Sequence, residues 1–125
     1  MKNDNKGYKK LQVWQEAHKL VLLIYEYTEN FPRNEEFGLV SQIRRAAVSI
    51  SANIVEGQAS SSKKEFLNFL NIANRSLVEM EYLLETAHDL RYLGNDKFEE
   101  LEKYRYKVGN LLNGLIRSIR HRLNT

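Results

Sequence analysis

Apolar residues recur at steps of three and four through most of the chain, which is the period of an α-helix. The first such segment extends from about Leu11 to Asn30. Phe31-Pro32 should end it, because the residue before a proline avoids helical backbone angles. Two adjacent apolar stripes run along this helix, the first made of Leu11, Trp14, Ala17, Val21, Ile24 and Thr28, and the second of Leu20, Leu23 and Tyr27.

A second helix is predicted to begin with Asn34 as its N-cap, with Glu35 and Glu36 in the first turn, and to close at Gly57. Its stripe comprises Phe37, Val40, Ile43, Ala47, Ile50 and Ile54. Between positions 46 and 55 nearly every residue is apolar or small. That composition is typical of a helix buried on more than one side.

A third helix should start after Ser62, because Ser62-Lys63-Lys64-Glu65 is a capping-box pattern. It runs to about Leu93 and is ended by Gly94. A fourth helix follows, capped by Asn95 or Asp96. The apolar rows of these two helices are Phe66, Leu70, Ala73, Leu77, Met80, Leu84 and Ala87 in the third, and Leu101, Tyr104, Val108, Leu111, Leu115 and Ile119 in the fourth.

Short connections force neighbouring helices to run antiparallel, so the predicted fold is all-α, an antiparallel up-down-up-down four-helix bundle. We assign no strand, since no segment alternates with period two. Residues 11–123 should form the bundle domain. Residues 1–10 should form a flexible basic lead.

The apolar stripes are wider than one bundle needs. Leu112, Ile116 and Leu123 lie beside the main row of the fourth helix, and the second helix is apolar on both flanks. The surplus either thickens the core or meets another copy in a closed cyclic oligomer. Gly109 and Gly114 inside the fourth helix either permit the close approach of another backbone or are tolerated weak positions.

The 125 residues include no Cys, which excludes disulfides and thiolate metal sites. No run of 18 apolar residues exists to span a membrane, and the first residues carry no apolar core of a signal peptide. We therefore expect a cytoplasmic protein with no membrane partner.

The net charge of +3 is unevenly distributed. Residues 103–125 carry six basic residues and no acid, whereas residues 11–102 carry nine basic and fifteen acidic residues. In the predicted topology both termini meet the start of the third helix at one end, which would be basic, while the opposite end would be acidic. The expected nucleic-acid contacts are Lys9, Lys10, Lys63, Lys64, Arg117, Arg120 and Arg122. Acids at helix starts and bases at helix ends also complement the helix dipoles, which explains part of this pattern without a ligand.

Motifs that carry chemistry are nearly absent. Glu85-Thr86-Ala87-His88 fits half of a di-iron carboxylate site, but no second Glu-x-x-His exists. No glycine-rich phosphate loop is present, and the three His residues are scattered. We therefore predict no enzyme activity, no cofactor, no metal and no small-molecule substrate.

Polar residues interrupt the most apolar helix and its neighbour. Such groups need partners when they are buried, so a network between the second and third helices is the simplest interpretation, with a ligand site or solvated surface as the alternatives. The residues concerned are Gln42, Arg44, Arg45, Ser49, Asn53, Glu56, Ser76 and Glu79.

These segments resemble the 23S rRNA intervening-sequence protein family, often called four helix bundle proteins. The similarity extends from about Tyr8 to Arg120 and is most specific from Gln42 to Gly57. Val55 departs from the family pattern, which usually has Ala there, and Asn74-Arg75-Ser76 lacks a common Gly. Gln58-Ala59-Ser60 replaces a stretch that is often more basic. The matching segments are Leu11–Ala17, Phe31-Pro32, Gly38–Ile50, Asn53–Gly57, Lys64–Leu70, Ser76–Glu81 and Leu111–Ile116.

The resemblance implies a left-handed bundle that assembles into a cyclic homopentamer, with no catalytic residues to carry over. Some relatives are encoded within insertions of bacterial 23S rRNA genes. A distant similarity to the accessory protein of diversity-generating retroelements suggests RNA, DNA or a reverse transcriptase as partner. We expect a homo-oligomeric scaffold that contacts RNA or DNA through its basic end. The alternative is a protein–protein adaptor with no nucleic-acid role.

Overall fold

The computed structural model describes residues 7–124 and contains four long α-helices joined by short connections. Within that range no residue is in a β-strand, so the predicted all-α four-helix architecture is confirmed. The helices are α1 (Gln12–Thr28), α2 (Leu39–Ala59), α3 (Lys63–Asp89) and α4 (Asn95–Leu123), with 3-10 turns at Gly7–Lys10 and Arg33–Glu35.

Each helix packs against the next, and α4 returns to pack against α1. Among the described elements, α1 does not pack on α3, nor α2 on α4, so these pairs lie on the diagonals. One apolar core runs along the centre and includes fully buried residues from every helix: Leu20, Ile24, Ile43, Ile50, Ile54, Leu70, Met80, Leu84, Leu101, Val108, Leu112 and Ile119.

The start of α2 differs from the prediction. The helix begins at Leu39, because the 3-10 turn and Gly38 intervene after Pro32. Asn34 is not its cap. Gly38 holds the N-cap position, and the Glu35 carboxylate accepts the Leu39 backbone N–H at 3.2 Å. Phe37, expected in the apolar stripe, is 90% exposed.

The predicted capping box at the start of α3 is confirmed. Ser62 Oγ accepts the Glu65 backbone N–H at 3.1 Å. Glu65 reaches back one residue further than expected, to the backbone N–H of Ser61 at 3.2 Å. These two bonds satisfy backbone donors that the first turn leaves without helical partners.

The end of α3 was predicted at Gly94 but lies at Asp89. Arg91 adopts a left-handed conformation with φ of 68°. The N–H of Tyr92 bonds to Ala87 O at 2.9 Å, which closes the helix in a Schellman arrangement. Gly94 instead precedes α4 as its N-cap, and neither Asn95 nor Asp96 has that position.

The buried row of α4 is rotated relative to the predicted one. Leu112 and Ile116, expected beside the main row, are buried, whereas Tyr104, Leu111 and Leu115 are only half-buried. Two adjacent apolar rows lie on this helix, and the packing of α1 and α3 against it selects between them.

Gly57 does not end α2, which continues to Ala59. It lies inside the helix, where a Cβ atom would stand 2.7 Å from Phe66 Cδ1 and 3.1 Å from Phe69 Cβ. The missing side chain therefore lets α3 approach α2. Gly109 has the same role more weakly, with Leu77 Cδ2 at 3.2 Å, whereas a Cβ on Gly114 meets nothing nearer than Arg117 Nη2 at 4.0 Å.

None of the described helices is both long enough and apolar enough to cross a membrane.

We predict that Gly57→Ala destabilises the protein while Gly114→Ala stabilises it. Alanine gains about 1 kcal/mol of helix propensity at either site. At Gly57 this is outweighed by overpacking against the two phenylalanines, which typically costs up to about 3 kcal/mol, so a net loss of up to about 2 kcal/mol is expected. Urea unfolding followed by circular dichroism, at one protein concentration, measures both. A stabilised Gly57→Ala would contradict the close approach.

Candidate functional site

Four helix ends meet at one end of the bundle, which we call the basic end. A Cβ on Gly7 would lie 2.8 Å from Gln58 Nε2, so the first 3-10 turn rests beside the end of α2. Leu77 of α3 lies against Gly109 of α4. Counting equal numbers of residues from that contact along the antiparallel pair brings Lys63 level with Leu123.

The predicted nucleic-acid contacts lie on the chain segments that reach this end, the first 3-10 turn, the start of α3 and the last two turns of α4, and every one is exposed: Lys9, Lys10, Lys63, Lys64, Arg117, Arg120 and Arg122. The four ion pairs found between described residues involve none of the first six. Arg122 donates to Ser118 Oγ at 2.9 Å. The cations therefore face solvent, where a phosphate group has access to them.

Residues 7–10, expected within a flexible lead, form a 3-10 turn that is fixed to α1. Gln15 Nε2 donates to Lys9 O at 2.8 Å, and Tyr8 packs edge-on against Trp14 with ring centroids 5.0 Å apart. The turn thus holds Lys9 and Lys10 beside the bundle. The rest of the predicted lead, residues 1–6, lies outside the described residues.

Three of the predicted polar residues join α2 to α3. The hydroxyls of Ser49 and Ser76 share a hydrogen bond of 2.8 Å. Asn53 Nδ2 donates to Ser49 O at 2.8 Å and to Ser49 Oγ at 3.1 Å. Neither hydroxyl is hydrogen-bonded to a histidine or carboxylate in the described part of the chain, so the pair is a structural link rather than an activated nucleophile.

Arg44 points away from this group, toward α1. Its Nε donates to Thr28 Oγ1 at 2.9 Å and its Nη2 to Tyr25 O at 3.2 Å, while its guanidinium lies 4.5 Å from the centroid of the Tyr25 ring. Thr28 Oγ1 in turn donates to Ile24 O at 2.7 Å. Arg44 therefore ties α2 to α1, and the sequence pattern had grouped it with the wrong neighbour.

The remaining predicted polar residues lie in two places. Gln42, Arg45 and Glu79 line a cleft of about 180 Å³ together with Ser49 and Ser76. Glu56 is exposed and stands apart, and none of the hydrogen bonds or ion pairs among described residues reaches it. The expected network is thus a short serine–asparagine link beside an open cleft.

A buried carboxylate that the sequence analysis missed lies between α1 and α4. Glu16 is 6% exposed and pairs with Lys19 and Lys107, each at 3.5 Å. Its helical spacing with Val13 and Leu20 places it on the buried stripe. That spacing, together with Lys19 one turn later, could have indicated a buried ion pair from the sequence. Lys107, the second partner of Glu16, could be identified only from the packing of α4 against α1.

The opposite end carries two tyrosine–carboxylate hydrogen bonds. The Tyr27 hydroxyl donates to Glu100, linking α1 to α4, and the Tyr92 hydroxyl donates to Glu35 Oε2 at 3.0 Å. Because each phenol must stay protonated to donate, the bond to Glu100 raises the pKa of Tyr27 from 10.0 to about 12, and the bond to Glu35 raises the pKa of Tyr92.

A cavity of about 770 Å³ lies beside the connection between α1 and α2 at this end. Glu26, Glu29 and Glu36 line it, but so do Arg33 and Arg44. The predicted acidic end is therefore mixed in charge. Among residues 7–124, no group of three or more His, Cys, Asp and Glu residues is placed to hold a metal ion.

Comparison with known proteins identifies a family and similar solved structures. The family model described as "23S rRNA-intervening sequence protein" matches residues 9–114. A crystal structure from Bacteroides thetaiotaomicron, described as a protein of unknown function from the S23 ribosomal protein family, is similar with a TM-score of 0.76 and 28% identity, covering 84% of this chain and 95% of that one. No curated protein matches the chain.

We predict that Tyr27 stabilises the fold only while its hydroxyl is protonated. Its folded pKa lies above the unfolded value, so the contribution is fully present below about pH 10 and is lost as pH rises toward 12. The difference in unfolding free energy between the natural protein and Tyr27→Phe, from urea titrations, should be constant below pH 10 and shrink above it. Tyr8→Phe, which keeps the ring on Trp14, is the control. A difference that stays constant to pH 12 would contradict the assignment.

Proposed function

Because the chain belongs to the 23S rRNA-intervening sequence protein family, we propose that it is a non-enzymatic, homo-oligomeric scaffold that contacts RNA or DNA through its basic end. The assembly in this proposal is a cyclic homopentamer acting in the cytoplasm. Its partners are other copies of itself and a phosphate backbone. It has no cofactor and no small-molecule substrate.

The observation that carries the proposal is the group of exposed cations from three separate parts of the chain, the first 3-10 turn, the start of α3 and the last turns of α4. Helix-dipole complementarity accounts for the arginines at the end of α4, where partial negative charge accumulates. It does not account for Lys63 and Lys64, which stand at a helix start, where cations are unfavourable. A phosphate ligand accounts for both groups.

Self-association strengthens the same contact. One basic end offers a handful of cations, and an oligomer whose copies point the same way multiplies them on one rim. Electrostatic binding to nucleic acid grows steeply with the number of phosphates neutralised. Exposed large apolar residues support self-association, since the structure leaves Val78, Tyr82 and Tyr106 at least 60% exposed.

Within this proposal the polar residues of α2 and α3 register the two helices and carry no chemistry. The Ser49–Ser76 bond at mid-length fixes how the helices slide past each other, and Asn53 holds the serine hydroxyl in place. Gln42, Arg45 and Glu79 form the solvated surface beside this link, and Glu56 is a separate solvated residue.

Self-association is tested by multi-angle light scattering. We predict a mass close to five times the chain mass of 14.7 kDa. A single species at the chain mass would contradict the oligomer. A mass at a different multiple of the chain mass would support self-association but would change the number of subunits.

We predict that the triple variant Arg117→Glu, Arg120→Glu, Arg122→Glu loses most of its affinity for RNA and single-stranded DNA. Each phosphate contact removed should also reduce the slope of log affinity against log salt by about 0.7. Fluorescence anisotropy at several salt concentrations measures both quantities. The matched control, Arg33→Glu, Arg91→Glu, Lys97→Glu, makes the same charge change at the opposite end and should retain clearly tighter binding.

Two outcomes would overturn this part of the proposal. Equal losses in the two triple variants would show that binding follows net charge and not the basic end. No binding by the natural protein at low salt would remove the nucleic-acid role and leave the protein–protein adaptor, which a nuclease-insensitive protein partner would then identify.

A further inference from the structure

Two apolar surfaces remain exposed on opposite faces of the bundle. The first is a groove of about 600 Å³ between α1 and α2, which we call the α1/α2 groove; Tyr25, Phe37, Val40 and Val48 supply its apolar lining. The second, the α3/α4 ridge, consists of Val78, Tyr82 and Tyr106, which are 60%, 68% and 65% exposed; Val78 and Tyr106 stand on the two sides of a shallow cleft of about 200 Å³ between α3 and α4. Because the diagonal helices do not pack on each other, the two surfaces lie on opposite sides of the bundle.

Both surfaces lie at the same height along the bundle. Ser49 of α2 is level with Ser76 of α3, and the ion pair of Arg105 with Glu81, at 3.8 Å, relates α4 to α3 about one turn further along. Counting residues from these contacts places Val48 of α2 level with Leu77 of α3. It places Tyr106 of α4 level with the part of α2 that includes Arg44 and Arg45. Groove and ridge therefore overlap within about one and a half helical turns.

Their charges are complementary. Arg44, Arg45 and Glu36 line the groove, so its lining has a net positive charge. On the ridge, Glu81 and Glu85 lie beside Tyr82 and both are exposed. Glu81 pairs with Arg105 at 3.8 Å, which leaves Glu85 as the carboxylate there outside the ion pairs found between described residues. A ridge entering a groove would bring carboxylates toward guanidinium groups at the edge of an apolar contact, which is the arrangement found in specific interfaces.

We propose that the α1/α2 groove of one copy receives the α3/α4 ridge of the next. This rests on the proposed self-association and assigns the surfaces that carry it. Since the two surfaces differ, the contact is head-to-tail, and such a contact generates a ring or a filament rather than a twofold dimer. Equal heights remove the axial step that a helical filament needs. The proposed ring also requires that each contact turn the next copy by a fixed angle about the ring axis.

This geometry also orients the basic ends. Because the groove and the ridge lie at the same height, joining them keeps the bundle axes of neighbouring copies parallel. All basic ends then lie on the same rim of the ring. A twofold contact of groove with groove would bring only two copies together and could not form that rim.

Cysteine cross-linking tests the interface directly, because the natural chain has no Cys. Val48→Cys in the groove and Tyr106→Cys on the ridge are made in separate, differently tagged chains, mixed by refolding together and treated with a short bismaleimide. We predict a cross-linked heterodimer of the two tags as the main product. Leu22→Cys, 58% exposed on α1 and outside the groove lining, replaces Val48→Cys in the control and should give only background.

The double variant Val48→Cys, Tyr106→Cys adds a second readout. The two sites lie on diagonal helices, so one chain cannot bridge them, and cross-linking should give a ladder that ends at the ring size. Tyr106→Asp should weaken assembly at least tenfold in dilution experiments, with helicity unchanged, whereas Leu22→Asp should not.

The outcomes separate the inference from the proposal beneath it. An oligomer by light scattering in which groove and ridge do not cross-link overturns the interface and leaves self-association standing. Dimers formed by Val48→Cys chains alone would establish a groove-to-groove contact and overturn the head-to-tail arrangement. A natural protein that is monomeric overturns both.

Discussion

The close approach of α2 and α3 is the constraint on which the rest of the structure depends. Gly57 has no side chain to hold off Phe66 and Phe69, and the buried residues Ala46, Ala47, Ile50 and Ile54 precede it on the same helix. The Ser49–Ser76 hydrogen bond then fixes the slide between the two helices. Once that register is set, α1 and α4 can pack only on the two remaining sides.

The register has a direct electrostatic consequence. Together with the contact of Leu77 with Gly109, which sets α4 against α3, it leaves the end of α2, the start of α3 and the end of α4 at one end, where the first 3-10 turn also lies. At the other end, tyrosine hydroxyls donate to carboxylates and arginines stand among the acids. The two ends therefore differ in composition, because one carries exposed lysines and arginines and the other carries acids and bases side by side.

The same register decides what stays exposed. With α1 to α4 arranged around one core, Val78, Tyr82 and Tyr106 have no helix left to cover them, and Tyr25 and Val48 line an open groove on the opposite side. A head-to-tail contact between these surfaces and a basic rim are thus two consequences of one packing arrangement. They can nevertheless fail separately, because the ridge and the basic end share no residues.

The sequence by itself determined the helical class, the number of helices, the capping of α3 by Ser62 and the charge segregation. These follow from periodicity, from local hydrogen-bonding chemistry and from topology, all of which operate over a few residues or need only the order of the helices. It also indicated that the apolar surface exceeds what one core requires.

Only the tertiary structure decided the finer points. Asn34 was a reasonable N-cap from its residue type, yet Glu35 and Gly38 set the start of α2. The end of α3 is set by Arg91, a residue with no preference for left-handed backbone. Arg44 bonds to α1 and not to α3, and Glu16 finds Lys107 across the bundle. Arg44 and Glu16 have partners that are far apart from them in sequence, and no local pattern encodes such contacts.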